Sequence, residues 1–219
     1  MKRELDRMAA IVTGGSRGYG KGIAAALKAA GARVWITGRD ERSLAAAAKE
    51  LGVESCRADV TSPADWDAAT RTLLTSAVEF TRAVLPGMRA RRWGRILNIT
   101  SIAARQPVDN LMLSNSLRAA VIAFAKTLSN EVGADGITVN NLVPGYTRTE
   151  RVVELSEHLA STGGITTEAV FGRWEAEIPM RRLGEPREFA ALAAFLASER
   201  ASYITGQSIA VDGGWIRGL

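Results

Sequence analysis

"TGGSRGYGKG", Thr13 to Gly22, decides how this chain is read. It joins a short apolar run, "AAIV" (9–12), to an Ala-rich run with helical spacing, "GKGIAAALKAAG" (20–31). A glycine-rich turn leading from a strand into a helix lets backbone N–H groups approach an anion. The helix N-terminus adds donors that have no partner inside the helix. Gly15 to Lys21 fit the opening of a phosphate-binding loop, G-x-x-x-x-G-K, but Gly22 stands where a magnesium-binding hydroxyl is needed. That loss argues against a nucleoside triphosphatase. Gly14, Gly18 and Gly20 instead give G-x-x-x-G-x-G, a dinucleotide pattern that on its own competes with a plain structural turn.

The rest of the chain repeats the same alternation. Strand-like runs "RVWIT" (33–37), "VESCRA" (53–58), "RILNIT" (95–100), "ITVNNLV" (137–143) and "SIAV" (208–211) are separated by helical patterns. Those patterns cover 41–51, about 63–91, about 110–132 and 186–198, with short helices around "STGG" (161–164) in 149–176. Strands alternating with helices predict βαβ units, a mostly parallel sheet and right-handed crossovers. The fold class is therefore α/β, a doubly wound parallel sheet, in one domain over 1–219.

Composition fits that reading. In 219 residues, 47% are apolar and 23% charged, which suits one buried domain. The net charge is +5. Its densest basic run, "MRARRWGR", follows a helical pattern and reads as a cationic helix end rather than a nucleic-acid surface. One cysteine, Cys56, rules out an internal disulfide framework and suits a reducing compartment. No apolar run is long enough for a membrane span, so a cytoplasmic protein without membrane or nucleic-acid partners is expected.

Further motifs follow in order: "TGR" at the end of the second strand, "ADV" after the third, then "NITS", "PGYTRT" and "ITGQSIAVDGG". From about Met8 to Trp215 the set resembles the short-chain dehydrogenase/reductase family. The resemblance implies a Rossmann-type, NAD(P)-dependent oxidoreductase acting on a carbonyl/alcohol pair, commonly a dimer or tetramer of identical chains, with no metal. It places Gly14, Ser16, Arg17, Gly18, Tyr19 and Gly20 around the pyrophosphate and adenosine ribose. Asp59 and Val60 would border the adenine, and Pro144, Gly145 and Thr147 the nicotinamide. Residues 149–185 would cover the substrate. Arg39 ends the second strand, and no acidic residue precedes it to bind a ribose 2′-hydroxyl. Arg17 and Arg39 could hold a 2′-phosphate, so NADP is expected over NAD, although each Arg alone also suits a solvated surface.

Two departures stand out. In the family a Ser, a Tyr and a Lys carry proton transfer. "NITSIAARQPVDNLMLSNSLR" keeps Ser101, but puts Ser114 at the Tyr position and Arg118 at the Lys position. An aliphatic hydroxyl is a far weaker acid than a phenol, and a guanidinium stays protonated and relays no proton. Ser114 also suits a plain role at a helix N-terminus. Tyr146 is the one phenol near the nicotinamide end. The catalytic candidates are thus Ser101, Ser114 and Arg118, with activity expected to be impaired. A catalytically silent dinucleotide-binding or oligomer-partner protein is the alternative.

The second departure is a gap. The family's "NNAG"-like fourth strand has no counterpart, because "CRADVT" runs straight into "SPADWDAATRTLLTSAVEF". About one helix-strand unit is missing, which predicts a six-stranded sheet in order 3-2-1-4-5-6 with "AAIV" beside "RILNIT". The weaker candidates read as ordinary structure: His158 as a surface residue, "VDGG" as a turn. Trp174 and Phe171 suit either a substrate cover or core packing.

Overall fold

The computed structural model describes residues 4–6, 8–38, 40–57, 65–109 and 111–218. The first half-sheet is built from β1 (Ala9–Thr13), α1 (Gly18–Ala29), β2 (Arg33–Gly38), α2 (Glu41–Leu51) and β3 (Glu54–Arg57). β1 runs parallel to β2, from Ala9 opposite Arg33 to Thr13 opposite Thr37, and β2 runs parallel to β3. Alternation along β2 buries Val34, Ile36 and Gly38. On α1, Ile23, Ala24 and Leu27 form the buried face, as one stripe of a 3.6-residue period requires. α2 begins where the Asp40 carboxylate accepts the Ser43 N–H at 2.8 Å and ends at Gly52, in the left-handed region at φ 61°. Lys28 Nζ donates to the Leu51 and Gly52 carbonyls, placing a cation at the negative end of α2.

From residue 65 come α3 (Asp65–Thr70), a single π-helical turn at Arg71–Thr75, and α4 (Ser76–Arg91). Then follow β4 (Gly94–Ile99), α5 (Met112–Val132) and β5 (Ile137–Pro144). α6 (Glu150–Gly163), α7 (Thr167–Glu177), α8 (Pro186–Ala197) and β6 (Ser208–Val211) complete the order. β5 is buried at every position. It carries two buried amides whose polar groups are all answered. Asn140 donates to the Ile204 carbonyl and accepts the Gln207 N–H, while Asn141 donates to Ser208 Oγ and accepts from Asn98. α5 buries Leu117, Val121, Ala125, Leu128 and Val132, and the last three pack with Ile96, Ile137 and Val139.

The chain divides into two compact units. The first contains β1–β3 with α1 and α2, Gly145–Ala194 and Val211–Arg217. The second contains α4, β4, α5 and β5, with Phe195–Ala210. The parallel α/β architecture is as expected, but the single six-stranded sheet is not. Strands order as β1-β2-β3 in one sheet and β4-β5-β6 in another, and among the described residues no ladder joins β1 to β4. The reason lies in register. β2 fixes that of β1 and β5 fixes that of β4, whereas two short apolar runs hold no alternation that would specify a register between them. Among the described residues no helix is long and apolar enough to cross a membrane.

Candidate dinucleotide and hydroxyl sites

In the first unit the glycine turn closes tightly on itself. Gly18 takes φ 56°, a left-handed value that side chains other than glycine rarely adopt. A Cβ on Gly20 would lie 2.3 Å from the Gly14 carbonyl oxygen. Arg17, at the N-cap of α1, makes no capping side-chain bond. The Gly18 N–H instead donates to the carboxylate of Glu150, at 3.1 Å from Oε2. An anionic oxygen therefore already sits on the turn, and this cradle has the chemistry a pyrophosphate needs.

The neighbouring candidates cluster around it. Ser16 lies against the end of β2, with Oγ 3.3 Å from where a Gly38 Cβ would stand. Tyr19 Oη donates to the Gly145 carbonyl at 3.1 Å, tying the turn to the segment after β5, and its ring lies 4.7 Å from that of Phe189. The Gly145 N–H donates to the Val211 carbonyl at 3.0 Å, and Thr147 is buried and bridged to Gly184. Arg17 is exposed; its carbonyl accepts the Lys21 N–H at 3.3 Å, and its side chain makes no cap bond. Asp40 is committed to its cap. The Ser43 hydrogen bonds, then Arg42 and Arg17, hold its carboxyl below the usual range. Arg39, Asp59 and Val60 lie outside the described residues.

Ser101, Ser114 and Arg118 belong to the second unit, as does Pro144, buried at the end of β5. Ser101 follows β4, and its Oγ accepts the Ala103 N–H at 3.2 Å, which leaves its O–H as a donor. Arg118 Nε donates to Ser114 Oγ at 3.1 Å, while Nη1 donates to the Thr100 carbonyl at 2.8 Å and to Ile99 at 3.4 Å. The guanidinium thus fastens the first turn of α5 to the strand end that presents Ser101. Ser114 is not the helix cap, because Leu111 holds that position. It is an acceptor for Arg118 with its own O–H directed elsewhere.

Tyr146 does not stand ready as a replacement acid. Its ring stacks on Trp174 at 4.9 Å and meets Trp215 edge-on at 6.3 Å, against the cluster of Ala160, Val170, Trp174, Ile178 and Leu183. Burial first, and the Glu177 charge second, push its phenol above the usual value, making it a weaker acid. Phe171 and Trp174 pack edge to face in the same cluster, so core packing accounts for both. His158 is exposed. In "VDGG", Asp212 accepts the Gly214 and Ile216 N–H groups, each at 2.9 Å, and so shapes a turn. Sequence reasoning missed Glu150, whose only signal was an acidic residue directly after a threonine helix cap.

The family model described as short chain dehydrogenase matches residues 8–73, and that described as enoyl-(acyl carrier protein) reductase matches 61–216. The acetoacetyl-CoA reductase of Shinella zoogloeoides is 34% identical over 244 aligned positions, covering 94% of this chain and 97% of that protein. Those positions outnumber the 219 residues here, so some of the relative's residues have no counterpart in this chain. The structure of L-sorbose reductase from Gluconobacter frateurii, complexed with NADPH and L-sorbose, is 29% identical with a TM-score of 0.91, covering all of both chains. A 3-oxoacyl (acyl-carrier-protein) reductase from Agrobacterium tumefaciens with NADP bound is 26% identical. Its TM-score is 0.86, covering 95% of this chain and 94% of that one.

Proposed function

Since the chain belongs to the short-chain dehydrogenase/reductase family, we propose that it reduces a ketone to the matching alcohol with NADPH, slowly for lack of a competent acid. The observation that carries this reading is the glycine turn with a carboxylate oxygen on the Gly18 N–H. Gly14, Ser16, Gly18, Tyr19 and Gly20 hold the pyrophosphate side, with Asp59 and Val60 along the adenine. Pro144, Gly145 and Thr147 bound the nicotinamide side, and 149–185 cover the substrate within a single functional domain. Arg17 and Arg39 answer the 2′-phosphate, and Asp40, occupied by its helix cap, leaves the ribose without a competing carboxylate. The bound cofactor supplies the hydride for the carbonyl carbon. Ser101 donates its O–H to the carbonyl oxygen and orients it. The proton that oxygen needs comes from the Ser114 hydroxyl through water, and solvent water returns a proton to Ser114, because Arg118 keeps its own. Relatives acting on acetoacetyl-CoA and 3-oxoacyl carriers support a 3-oxoacyl thioester as the substrate class. The lone Cys56 supports a reducing cytoplasm, and the family resemblance supports a homo-oligomer.

A second reading has its own observation. The Arg118 guanidinium is engaged with Ser114 and two strand carbonyls, an arrangement that serves structure without chemistry in a silent dinucleotide-binding protein. Acetoacetyl-CoA and a ketone panel, mixed with protein and NADPH, separate the two. Slow NADPH consumption matched by alcohol product is the expected result. NADPH binding without turnover favours the silent protein, and no binding overturns both.

A further inference from the structure

Glu150 is the first residue of α6, just after Thr149, whose hydroxyl accepts the Val152 N–H as the helix cap. Its own carboxylate reaches a different helix, accepting the Gly18 N–H at 3.1 Å. The two residues are 132 positions apart, so this is a tertiary contact and not a local cap. Thr149 comes with it: a Cβ on Gly18 would stand 3.9 Å from both Glu150 Oε2 and Thr149 Cβ. The carboxylate thus lies where the N-termini of α1 and α6 meet, and each end favours negative charge. Tyr19 holds the arrangement from the other side through its bond to the Gly145 carbonyl.

We propose that Glu150 is a tethered competitor for the cofactor's pyrophosphate, a residue that sets affinity by occupying the Gly18 donor until a phosphate displaces it. This rests on the reading of the glycine turn as the dinucleotide site. A carboxylate and a phosphate oxygen seek the same N–H, and a donor holding one cannot hold the other. Glu150 is exposed and on a flexible stem, so it can swing away, but its charge then remains beside the incoming phosphates. Both effects weaken binding and act on the pyrophosphate rather than on the adenosine end.

The test compares the full chain with Glu150→Gln and Glu150→Ala, measuring NADPH and adenosine 2′-monophosphate affinities together with the Gly18 amide resonance. Both variants should bind NADPH about three- to tenfold more tightly, the scale of one charge near a helix N-terminus. Affinity for adenosine 2′-monophosphate, which has no pyrophosphate, should stay within about twofold on the same scale. The Gly18 resonance should shift in both variants, and in the parent chain on adding NADPH. Equal NADPH affinity in all three proteins overturns the competitor role while leaving the dinucleotide site standing. Equal gains for both ligands overturn it too, since they indicate only a general change of charge. If NADPH moves no glycine-turn resonance in any of the three, the site itself fails and the proposal with it.

Discussion

Arg118 Nε stands 3.1 Å from Ser114 Oγ, with Nη1 of the same guanidinium 2.8 Å from the Thr100 carbonyl. The pair that the family resemblance sets at the positions of a phenol and an amine is a structural link between α5 and the end of β4. Donation from a cation makes the Ser114 hydroxyl a somewhat better acid, but an alkyl hydroxyl starts far above a phenol, so one hydrogen bond does not close the difference.

Replacing both residues, Ser114→Tyr with Arg118→Lys, should restore the acid yet raise carbonyl reduction little. A general acid contributes about 10²–10⁴-fold, but only when the reacting atoms are held in line. The sequence gap after "CRADVT" is expected to cost the strand that walls the cofactor cleft in the family. Single-turnover NADPH oxidation with a ketone panel checks this, and a gain of about three orders of magnitude would falsify it.

Arg17→Ala should weaken NADPH about tenfold while changing NADH by less than about twofold, because a guanidinium on a 2′-phosphate forms charge-assisted bonds that NADH cannot use. Arg39→Ala should behave alike. Titration of each variant with both cofactors decides it, and equal losses for the two cofactors exclude the role.

Gly20→Ala should destabilise the fold by about 1–3 kcal/mol, as overpacking does. The added methyl would sit 2.3 Å from a backbone oxygen, which has no rotamer by which to move aside. Denaturant unfolding reads the loss. A variant as stable as the parent would mean the turn is looser than described.

Glu188 gives a pH dependence of defined sign. Its carboxylate accepts from Arg182 at 2.8 and 2.6 Å and from the Glu185 N–H at 2.8 Å. Arg182 first, and then that N–H, hold its carboxyl down at about 2 against an ordinary 4.5. A lowered carboxyl stabilises the folded chain above its unfolded value and loses that contribution as pH falls. Glu188→Gln should therefore lower the melting temperature at neutral pH. The gap from the parent should shrink as pH drops from 4.5 towards 2. A gap that is constant with pH would sink the assignment.

Much of this was legible before any coordinates. α2 falls on 41–51 as read, because Asp40 and Gly52 mark both ends with chemistry that the sequence displays. α1 starts two residues earlier than its apolar pattern, at Gly18, since an uncapped glycine turn gives no sharp boundary. The π-helical turn at Arg71–Thr75 left no mark, because none of its residues is buried and so no buried stripe records the shift in phase. The glycine turn was visible as spacing, whereas the Glu150 contact was not, since a side chain reaching across 132 positions has no local signature. The split of the sheet was hidden for the same reason: pairing between strands is a long-range choice, and apolar composition does not encode it.

β1 reads as an interior strand, "AAIVT", yet among the described residues it pairs on one side only, with Ile11 57% exposed. At the edge of the β1-β2-β3 sheet, "AAIVT" carries no charged residue or proline to discourage another strand from joining it. An edge strand of that composition makes concentration a variable of the protein's chemistry and not only of its handling.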